Sequence, residues 1–134
     1  MAGGSCSIPA NLASFTGGSL LDLLFTQSYL ADASNRKKAQ DFVAKTYPYH
    51  SKQEGLYRQL KAIYSHDTCN TLKSIKAPTL IITGDSDVVI PPKNSDVLKQ
   101  KISGAKLEVL NNGNHGFPYS HAIETANTLI NFLG

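Results

Sequence analysis

Two short apolar segments in the second half of the chain have the character of buried strands. Leu80–Ile82 is an unbroken β-type run, and Leu107–Leu110 is a second such segment. Between them, Leu98 and Ile102 recur at helical spacing after the Pro91–Pro92 turn. Strands that are separated by a single helix of this length are joined in parallel through a right-handed crossover. The pattern therefore predicts a parallel βαβ unit whose two strands end at the same edge of the sheet.

In the first half of the chain the apolar residues recur at the spacing of helices. Ser19 is a suitable N-cap for a helix that runs to about Leu30, and the apolar face of this helix is too broad for a lone surface helix. A second helix is predicted to end near Thr46, because Pro48 prevents its continuation. The capping box Ser51–Glu54 then begins a third helix. The apolar stripe predicted for this third helix consists of Leu56, Leu60, Ile63 and Tyr64.

These patterns divide the chain into three parts and predict an α/β protein. Residues 1–18 form an irregular N-terminal segment, residues 19–75 form a helical region, and residues 76–134 form a strand–helix–strand–helix unit. The last element is a helix from His121 to Leu133, and we expect its apolar face to cover one side of the two strands. That face consists of Ile123, Ala126, Ile130 and Leu133.

The loops that follow the two strands carry polar residues of catalytic type. Asp85 and Asp87 lie in the first loop, and His115 lies in a second loop that is rich in Asn and Gly. Because both strands end at one edge of the sheet, Asp87 and His115 should meet there. A carboxylate that orients a histidine is half of a nucleophilic catalytic machine. These two residues are the candidate catalytic residues; the alternative for each is an ordinary turn or loop residue, as we expect for Asp85.

The two loops resemble the acid and histidine loops of the α/β-hydrolase family. In that family the acid follows the penultimate strand and the histidine follows the last strand. The matching positions are Gly84, Asp87 and Pro91 in the first loop and Gly113, His115 and Gly116 in the second. Asn114 departs from the pattern, because the family often has glycine before the histidine. The resemblance covers residues 72–133, including the lead-in Ile75–Leu80, and extends only loosely to the residues before them.

The resemblance implies a partial α/β-hydrolase in which the helical region takes the place of the lid. His115 would then be the general base and Asp87 would hold its imidazole, with no cofactor or metal. The family's nucleophilic serine lies in a G-x-S-x-G turn, and no such motif occurs among the 134 residues. Since the serine precedes the acid in the family's chain order, we expect it before residue 1 and expect this chain to be inactive alone. The expected substrate of the completed enzyme is a small ester-, thioester- or lactone-type molecule.

Composition and charge argue against several other functions. The formal net charge of +3 is mild, Arg36–Lys38 is the only basic run, and no nucleic-acid motif accompanies it. No apolar run approaches the roughly 18 residues that span a membrane, and the N-terminus lacks the features of a signal peptide. Cys6 and Cys69 are too few and too far apart to indicate a disulfide framework. We therefore expect a cytoplasmic protein with reduced thiols that binds neither nucleic acid nor membrane.

The strand at residues 79–83 has apolar groups on both faces and is built to be central in a sheet. With only one neighbouring strand in the chain, it presents an unpaired edge. We expect this edge to be covered by the missing N-terminal half of the enzyme or by a second copy of the chain in a homodimer.

Two other functional interpretations remain open from the sequence. One is a non-catalytic binding or assembly module that kept the fold and lost the chemistry. The other is a metal-dependent protein that uses His66, Cys69 and other histidines, although the His66–Cys69 pair provides only two of the four ligands of a structural zinc. Several aromatic residues are candidates either for a substrate cleft or, more commonly, for the core. They are Tyr29, Tyr47, Tyr49, Tyr57, Tyr64 and Phe117.

Overall fold

The computed structural model describes residues 19–49 and 53–134, in which helices precede and surround a short parallel sheet. The predicted irregular segment at residues 1–18, together with His50, Ser51 and Lys52, lies outside the described residues. The helices and strands, in chain order, are α1 (Leu20–Leu24), α2 (Gln27–Ala31), α3 (Ala33–Thr46), α4 (Gln53–Ser65), β1 (Leu80–Gly84), α5 (Lys93–Lys101), β2 (Lys106–Leu110), α6 (Phe117–Ser120) and α7 (Ala122–Leu133). Short 3-10 turns at Tyr47–Tyr49 and Leu72–Ser74 follow α3 and precede β1.

The two strands and the helix between them confirm the predicted βαβ unit. β1 and β2 pair in parallel, with Leu80 opposite Lys106 at one end and Gly84 opposite Leu110 at the other. The connecting helix α5 ends at Ile102, whose backbone N–H donates to the carbonyl of Leu98. Since parallel strands run in the same direction, the loops that follow β1 and β2 both leave from one edge of the sheet.

The βαβ unit encloses the first of two cores. Apolar side chains from the turn before β1, from β1 and from both ends of the segment between α5 and β2 pack together. The buried members are Leu72, Ile81, Ile102 and Ala105, with Ile75, Leu98 and Leu107 packed against them. Burying one such aliphatic side chain fully contributes about 1.5–3 kcal/mol to stability. This core therefore holds β1 and α5 together and fixes where the two loops begin.

The single helix predicted from Ser19 to Leu30 is two short helices, and the prediction of one continuous helix is wrong. Phe25 and Thr26 between them have extended backbones, with φ of −129° and −73° and ψ of 148° and 155°. The hydroxyl of Thr26 accepts a hydrogen bond from the N–H of Tyr29 and so caps α2, as Ser19 caps α1. The break turns Phe25 inwards, where it is 1% exposed.

Phe25 is the centre of the second core, which joins the helical region to the C-terminal part of the chain. Its ring stacks on Tyr29 at 5.4 Å between centroids and meets Tyr119 of α6 edge-on at 6.0 Å. The hydroxyl of Tyr119 donates a hydrogen bond to the carbonyl of Lys38 in α3 at 3.2 Å. Aromatic contacts of this kind add about 0.5–1.5 kcal/mol each beyond the area that they bury. The other members of this core are Leu30 and Ala39, with Leu21, Leu24 and Phe42 packed beside them.

Parts of two apolar stripes that the sequence assigned to the interior are exposed. On α4, Ile63 is 50% exposed and Tyr64 is 75% exposed. On α7, the predicted face does not cover the strands: Ile123, Ile130 and Leu133 are all exposed, and Phe132 instead points towards Lys106 of β2. Of the aromatic residues expected in the core, Tyr29 is packed there, whereas four are largely exposed. These four are Tyr47, Tyr49, Tyr57 and Tyr64. The physical reason is that, among the described residues, no further layer of helices or strands covers these faces.

Cys69 forms a disulfide bond, contrary to the expectation of reduced thiols, and the other cysteine of the sequence, Cys6, lies outside the described residues.

None of the helices within residues 19–49 and 53–134 has both the length and the apolar character that a bilayer crossing requires.

For the 134-residue chain on its own, we predict a dimer paired along the free edge of β1. In the described part of the chain β1 pairs only with β2, so its other edge retains unsatisfied ladder groups. Light scattering after size exclusion should give twice the chain mass. The Ile130→Glu variant places a charge on the exposed face of α7 and leaves the edge of β1 unchanged. It should therefore also give twice the chain mass. A monomeric wild-type chain would contradict the prediction, and a monomeric variant beside a dimeric wild type would locate the interface on α7 instead.

Candidate active site

Asp87 is held by the turn that follows β1. One of its carboxylate oxygens, Oδ1, accepts hydrogen bonds from the backbone N–H groups of Val89 and Ile90, both at 2.8 Å. The side chain is only 5% exposed. An aspartate that bonds the amides two and three residues ahead of it is locked in one rotamer. The second oxygen, Oδ2, is therefore presented in a fixed direction away from its own loop.

His115 meets that second oxygen from the loop after β2. Its Nδ1 lies 3.1 Å from Oδ2 of Asp87, which is hydrogen-bonding distance. The imidazole side chain is 37% exposed, in contrast to the buried carboxylate that it meets. Within residues 19–49 and 53–134, no group is hydrogen-bonded to Nε2 of His115. The structure thus brings together the two residues that the sequence singled out and leaves the other ring nitrogen, Nε2, without a hydrogen-bond partner among the described residues.

The environment of Asp87 favours its ionised form. Burial by itself would raise the pKa of the carboxyl group, but the hydrogen bond from His115 lowers it. The backbone amides of Ile90 and Val89 act in the same direction, and the net result is a pKa below the ordinary value of 3.8. Asp87 is therefore a carboxylate at neutral pH, and it is the hydrogen-bond acceptor in its pairing with the histidine.

Two glycines allow the acid and histidine loops to approach each other closely. A Cβ atom added to Gly84 would lie 2.1 Å from the carbonyl oxygen of Gly113, a distance that no side chain tolerates. The same Gly113 oxygen accepts a hydrogen bond from the N–H of Ser86 at 2.9 Å. The N–H of Asp85 also reaches across, to the carbonyl of Leu110 at 3.1 Å. The loops are therefore joined backbone to backbone beneath the Asp87–His115 pair.

Asn114 is a residue whose role the sequence analysis missed. It is 4% exposed, and its side chain hydrogen-bonds to backbone groups in three separate parts of the chain. The available signal was its departure from the glycine that the resemblance led us to expect before His115. A polar residue at such a position, in a loop otherwise rich in glycine, is a candidate for a buried structural amide.

Gly116 brings the helical region against the histidine loop. Its N–H donates to the carbonyl of Leu24 at 2.7 Å, and a Cβ added to it would lie 2.6 Å from that same oxygen. A second link joins Ser28, whose hydroxyl donates to Oδ1 of Asn112 at 2.8 Å. Asn112 itself has a left-handed backbone with φ of 59°, which asparagine tolerates better than most residues.

The remaining sequence candidates lie away from this site or in ordinary turns. Asp85 is exposed and accepts a hydrogen bond from the hydroxyl of Ser86, as a turn residue would. His66 pairs with the hydroxyl of Thr68 at 3.4 Å. The sulfur of Cys69 is in a disulfide and so is not available as a thiolate ligand. The described residues contain no group of three or more side chains placed to bind a metal ion.

A sequence model of the α/β hydrolase fold matches residues 8–122 of the chain. Among curated proteins, the chain is 28% identical over 107 residues to a putative carbamate hydrolase, RutD, of Pseudomonas savastanoi pv. phaseolicola, covering 78% of this chain and 41% of that protein. It is also 29% identical over 116 residues to the mouse monoacylglycerol lipase ABHD6, covering 84% of this chain and 34% of the relative.

Solved structures show the same similarity in three dimensions. A bromoperoxidase from Bacillus anthracis superimposes with a TM-score of 0.67 at 28% identity, over 92% of this chain and 43% of that one. An enol-lactonase from Burkholderia xenovorans LB400 gives a TM-score of 0.69 at 25% identity, over 96% of this chain and 53% of that one. The chain thus spans between 34% and 53% of the length of these four proteins.

We predict that Gly84→Ala destabilises the protein more than Gly113→Ala does. The added methyl group meets backbone at 2.1 Å in the first variant and at 3.0 Å in the second. The expected losses in the free energy of unfolding are about 3 kcal/mol or more and about 1 kcal/mol, respectively. Urea unfolding followed by circular dichroism provides the measurement. Equal losses, or the reverse order, would mean that the two loops are not in the close contact described here.

We predict that Asp87→Asn lowers the stability most at neutral pH. Because the folded-state pKa of Asp87 lies below 3.8, its stabilising effect is fully present above that value and is lost as the pH falls through the folded pKa. The variant should therefore be less stable near pH 7 by roughly 1–3 kcal/mol and should approach the wild type as the pH falls from 3.8 through the folded-state pKa of Asp87. Urea unfolding across that pH interval tests this. Asp85→Asn is the matched control and should show no comparable loss.

Proposed function

The chain belongs to the α/β-hydrolase fold family, and on this premise we propose that it supplies the acid and the base of a serine-type hydrolase. Asp87 is the acid and His115 is the base. The observation that carries the proposal is the 3.1 Å hydrogen bond between Nδ1 of His115 and Oδ2 of Asp87. It joins a buried carboxylate to a partly exposed imidazole, which is the arrangement that general-base catalysis requires.

Asp87 determines which nitrogen of the neutral imidazole carries the proton. Since its carboxylate is an acceptor, the proton of neutral His115 resides on Nδ1 and the lone pair resides on Nε2. Nε2 then removes the proton from a serine hydroxyl as the serine oxygen attacks the carbonyl carbon of the substrate. The imidazolium formed in this step is stabilised by the negative charge of Asp87. Nε2 then gives this proton to the leaving group as its bond to the carbonyl carbon breaks, which leaves an acyl-serine. In the second half, Nε2 takes a proton from water as the water oxygen attacks the acyl carbon, and it returns the proton to the serine oxygen as the acid product leaves.

The proposal places the serine and the oxyanion donors in residues beyond this sequence. No G-x-S-x-G motif occurs in the 134 residues, and the chain spans only part of the proteins that it resembles. A base without a nucleophile and without donors for the oxyanion gives almost no rate enhancement. The pair therefore acts only when those groups are supplied.

The proposed substrate class is a small ester, thioester or lactone. Support for an acyl substrate comes from the names of similar proteins, which include a putative carbamate hydrolase, a monoacylglycerol lipase and an enol-lactonase. In the proposed enzyme the helical region α1–α4 acts as the lid that selects the substrate. Fold similarity does not choose among acyl groups, and the choice depends on the side chains that the lid presents.

The alternative is a binding or assembly module that uses the fold without the chemistry. The exposed apolar faces of α4 and α7 would suit such a module. The geometry of the Asp87–His115 pair argues against this alternative, because binding or assembly alone does not require a buried carboxylate that is hydrogen-bonded to a partly exposed histidine. We therefore favour the catalytic reading.

We predict that the 134-residue chain alone shows no serine-hydrolase turnover and no labelling by a fluorophosphonate probe. A longer protein that includes the upstream residues should be labelled on one serine and should hydrolyse a fluorogenic ester. In that protein, His115→Gln and Asp87→Asn should each lower kcat by roughly 10³-fold or more.

Asp85→Asn and His121→Gln serve as matched controls in the same protein, and they should retain activity within a few-fold of wild type. Robust labelling of any serine in the short chain would contradict the proposed division of the catalytic groups. Full activity of His115→Gln in the longer protein would refute the assignment of the base.

A further inference from the structure

The side chain of Asn114 has four hydrogen bonds, and they connect three segments that are distant in sequence. Its Oδ1 accepts from the N–H of His115 at 2.8 Å and from the N–H of Val88 at 3.2 Å. Its Nδ2 donates to the carbonyls of Asp22 at 3.0 Å and Phe25 at 3.3 Å. The carboxamide thus lies where the histidine loop, the acid loop and the end of α1 meet.

The orientation of this carboxamide follows from its partners. Two N–H donors face one end of the group and two carbonyl acceptors face the other, so only one placement of oxygen and nitrogen satisfies all four bonds. Both hydrogens of the amide nitrogen and both lone pairs of the oxygen have partners. No other uncharged side chain offers two donors and two acceptors in so small a group except glutamine, which is one methylene longer.

The oxygen end of Asn114 holds the two catalytic loops in register. Val88 immediately follows Asp87, and His115 immediately follows Asn114, so one oxygen fixes the backbone beside both members of the pair. A buried N–H left without an acceptor costs more than the hydrogen bond itself is worth, which opposes any separation of these two loops. The distance between the carboxylate and the imidazole therefore depends on this atom.

The nitrogen end of Asn114 holds the end of α1. The last carbonyls of a helix have no partner within the helix, and that of Asp22 accepts from one N–H of Asn114. The carbonyl of Phe25, which directly follows α1, accepts from the same amide nitrogen. Phe25, at the centre of the second core, is thereby tied to the residue before His115. The position of the helical region is in this way connected to the position of the catalytic histidine.

We propose that Asn114 is a positioning residue that couples the helical region to the Asp87–His115 pair. This inference rests on the proposed function for its catalytic meaning. If α1 and α2 are displaced, as when a lid opens to admit substrate, the Asn114 carboxamide loses its two carbonyl acceptors. Its oxygen still accepts from the N–H groups of His115 and Val88, but the carboxamide is no longer anchored at its other end, so the backbone beside the acid–base pair loses its fixed orientation. The acid–base pair is therefore aligned only when the helical region is seated.

The neighbouring residue Asn112 provides a matched control. It also links the histidine loop to the helical region, through the hydroxyl of Ser28, but it is exposed and contacts neither catalytic loop amide. Asn112→Gly removes this link while suiting the left-handed backbone at that position. Any effect that is specific to Asn114 must therefore be absent from Asn112→Gly.

The test uses the 134-residue chain labelled with ¹⁵N and two NMR observables. The first is the rate of hydrogen exchange of backbone amides, and the second is the proton on Nδ1 of His115, which resonates downfield when it is shared with a carboxylate. In Asn114→Ala, the amides of Val88 and His115 should exchange at least about tenfold faster than in wild type, since both lose their acceptor. The Nδ1 proton signal should broaden or disappear, while the amide of Ile81 within β1 keeps its protection.

Asn114→Asp separates the two ends of the amide and keeps the test decisive if the alanine variant does not fold. The carboxylate retains acceptors for Val88 and His115 but repels the two carbonyls. The amides of α1 and α2 should then exchange about tenfold faster, and the Nδ1 proton should exchange faster with water, whereas the Val88 amide stays protected. Native exchange of the α1 and α2 amides in this variant would overturn the coupling.

Two further outcomes decide the matter. Retention of the Nδ1 proton signal in a folded Asn114→Ala variant, or its equal loss in Asn112→Gly, would overturn the proposal. In the longer protein, Asn114→Ala should lower kcat about tenfold or more with little change in KM, whereas Asn112→Gly should not. If the longer wild-type protein hydrolyses no ester, the proposed function fails, yet the NMR result still shows whether Asn114 positions the pair.

Discussion

The structure of the site depends on the parallel pairing of β1 with β2. Because both strands run in the same direction, their carboxyl ends lie side by side and the loops that leave them must share one edge. The absence of side chains at Gly84 and Gly113 lets these loops touch through their backbones. The candidate active site depends on that contact, because it brings the carboxylate of Asp87 in one loop within hydrogen-bonding distance of the imidazole of His115 in the other.

The helical region is attached to this edge by polar groups as well as by its own core. Phe25 packs against aromatic rings from α2 and α6, while the carbonyls near it receive hydrogen bonds from Asn114 and Gly116. Buried amide networks of this kind are costly when they are incomplete and therefore favour one arrangement of the segments that they join. The same interactions that stabilise the packing of α1 thus also fix the backbone around His115. A change that weakens this packing is therefore expected to alter the geometry of the site as well.

Several apolar surfaces of the chain face outwards. Large apolar side chains are exposed on α4 and on α7, and Val88 and Ile90 are exposed in the loop that holds Asp87. Clusters of exposed apolar side chains mark surfaces through which proteins contact other groups.

Local patterns in the sequence determined the βαβ unit, the two loops that carry Asp87 and His115, and their meeting at one edge. This was possible because strand and helix periods are local, and because chain order alone decides where parallel strands end. The break at Phe25, the exposure of the α4 and α7 stripes and the role of Asn114 were decided by tertiary structure. Each of these features depends on which groups, distant in sequence, lie next to a residue in the folded chain. Asn114, for example, is hydrogen-bonded to backbone groups of Asp22, Phe25 and Val88, and local sequence patterns do not contain information about such neighbours.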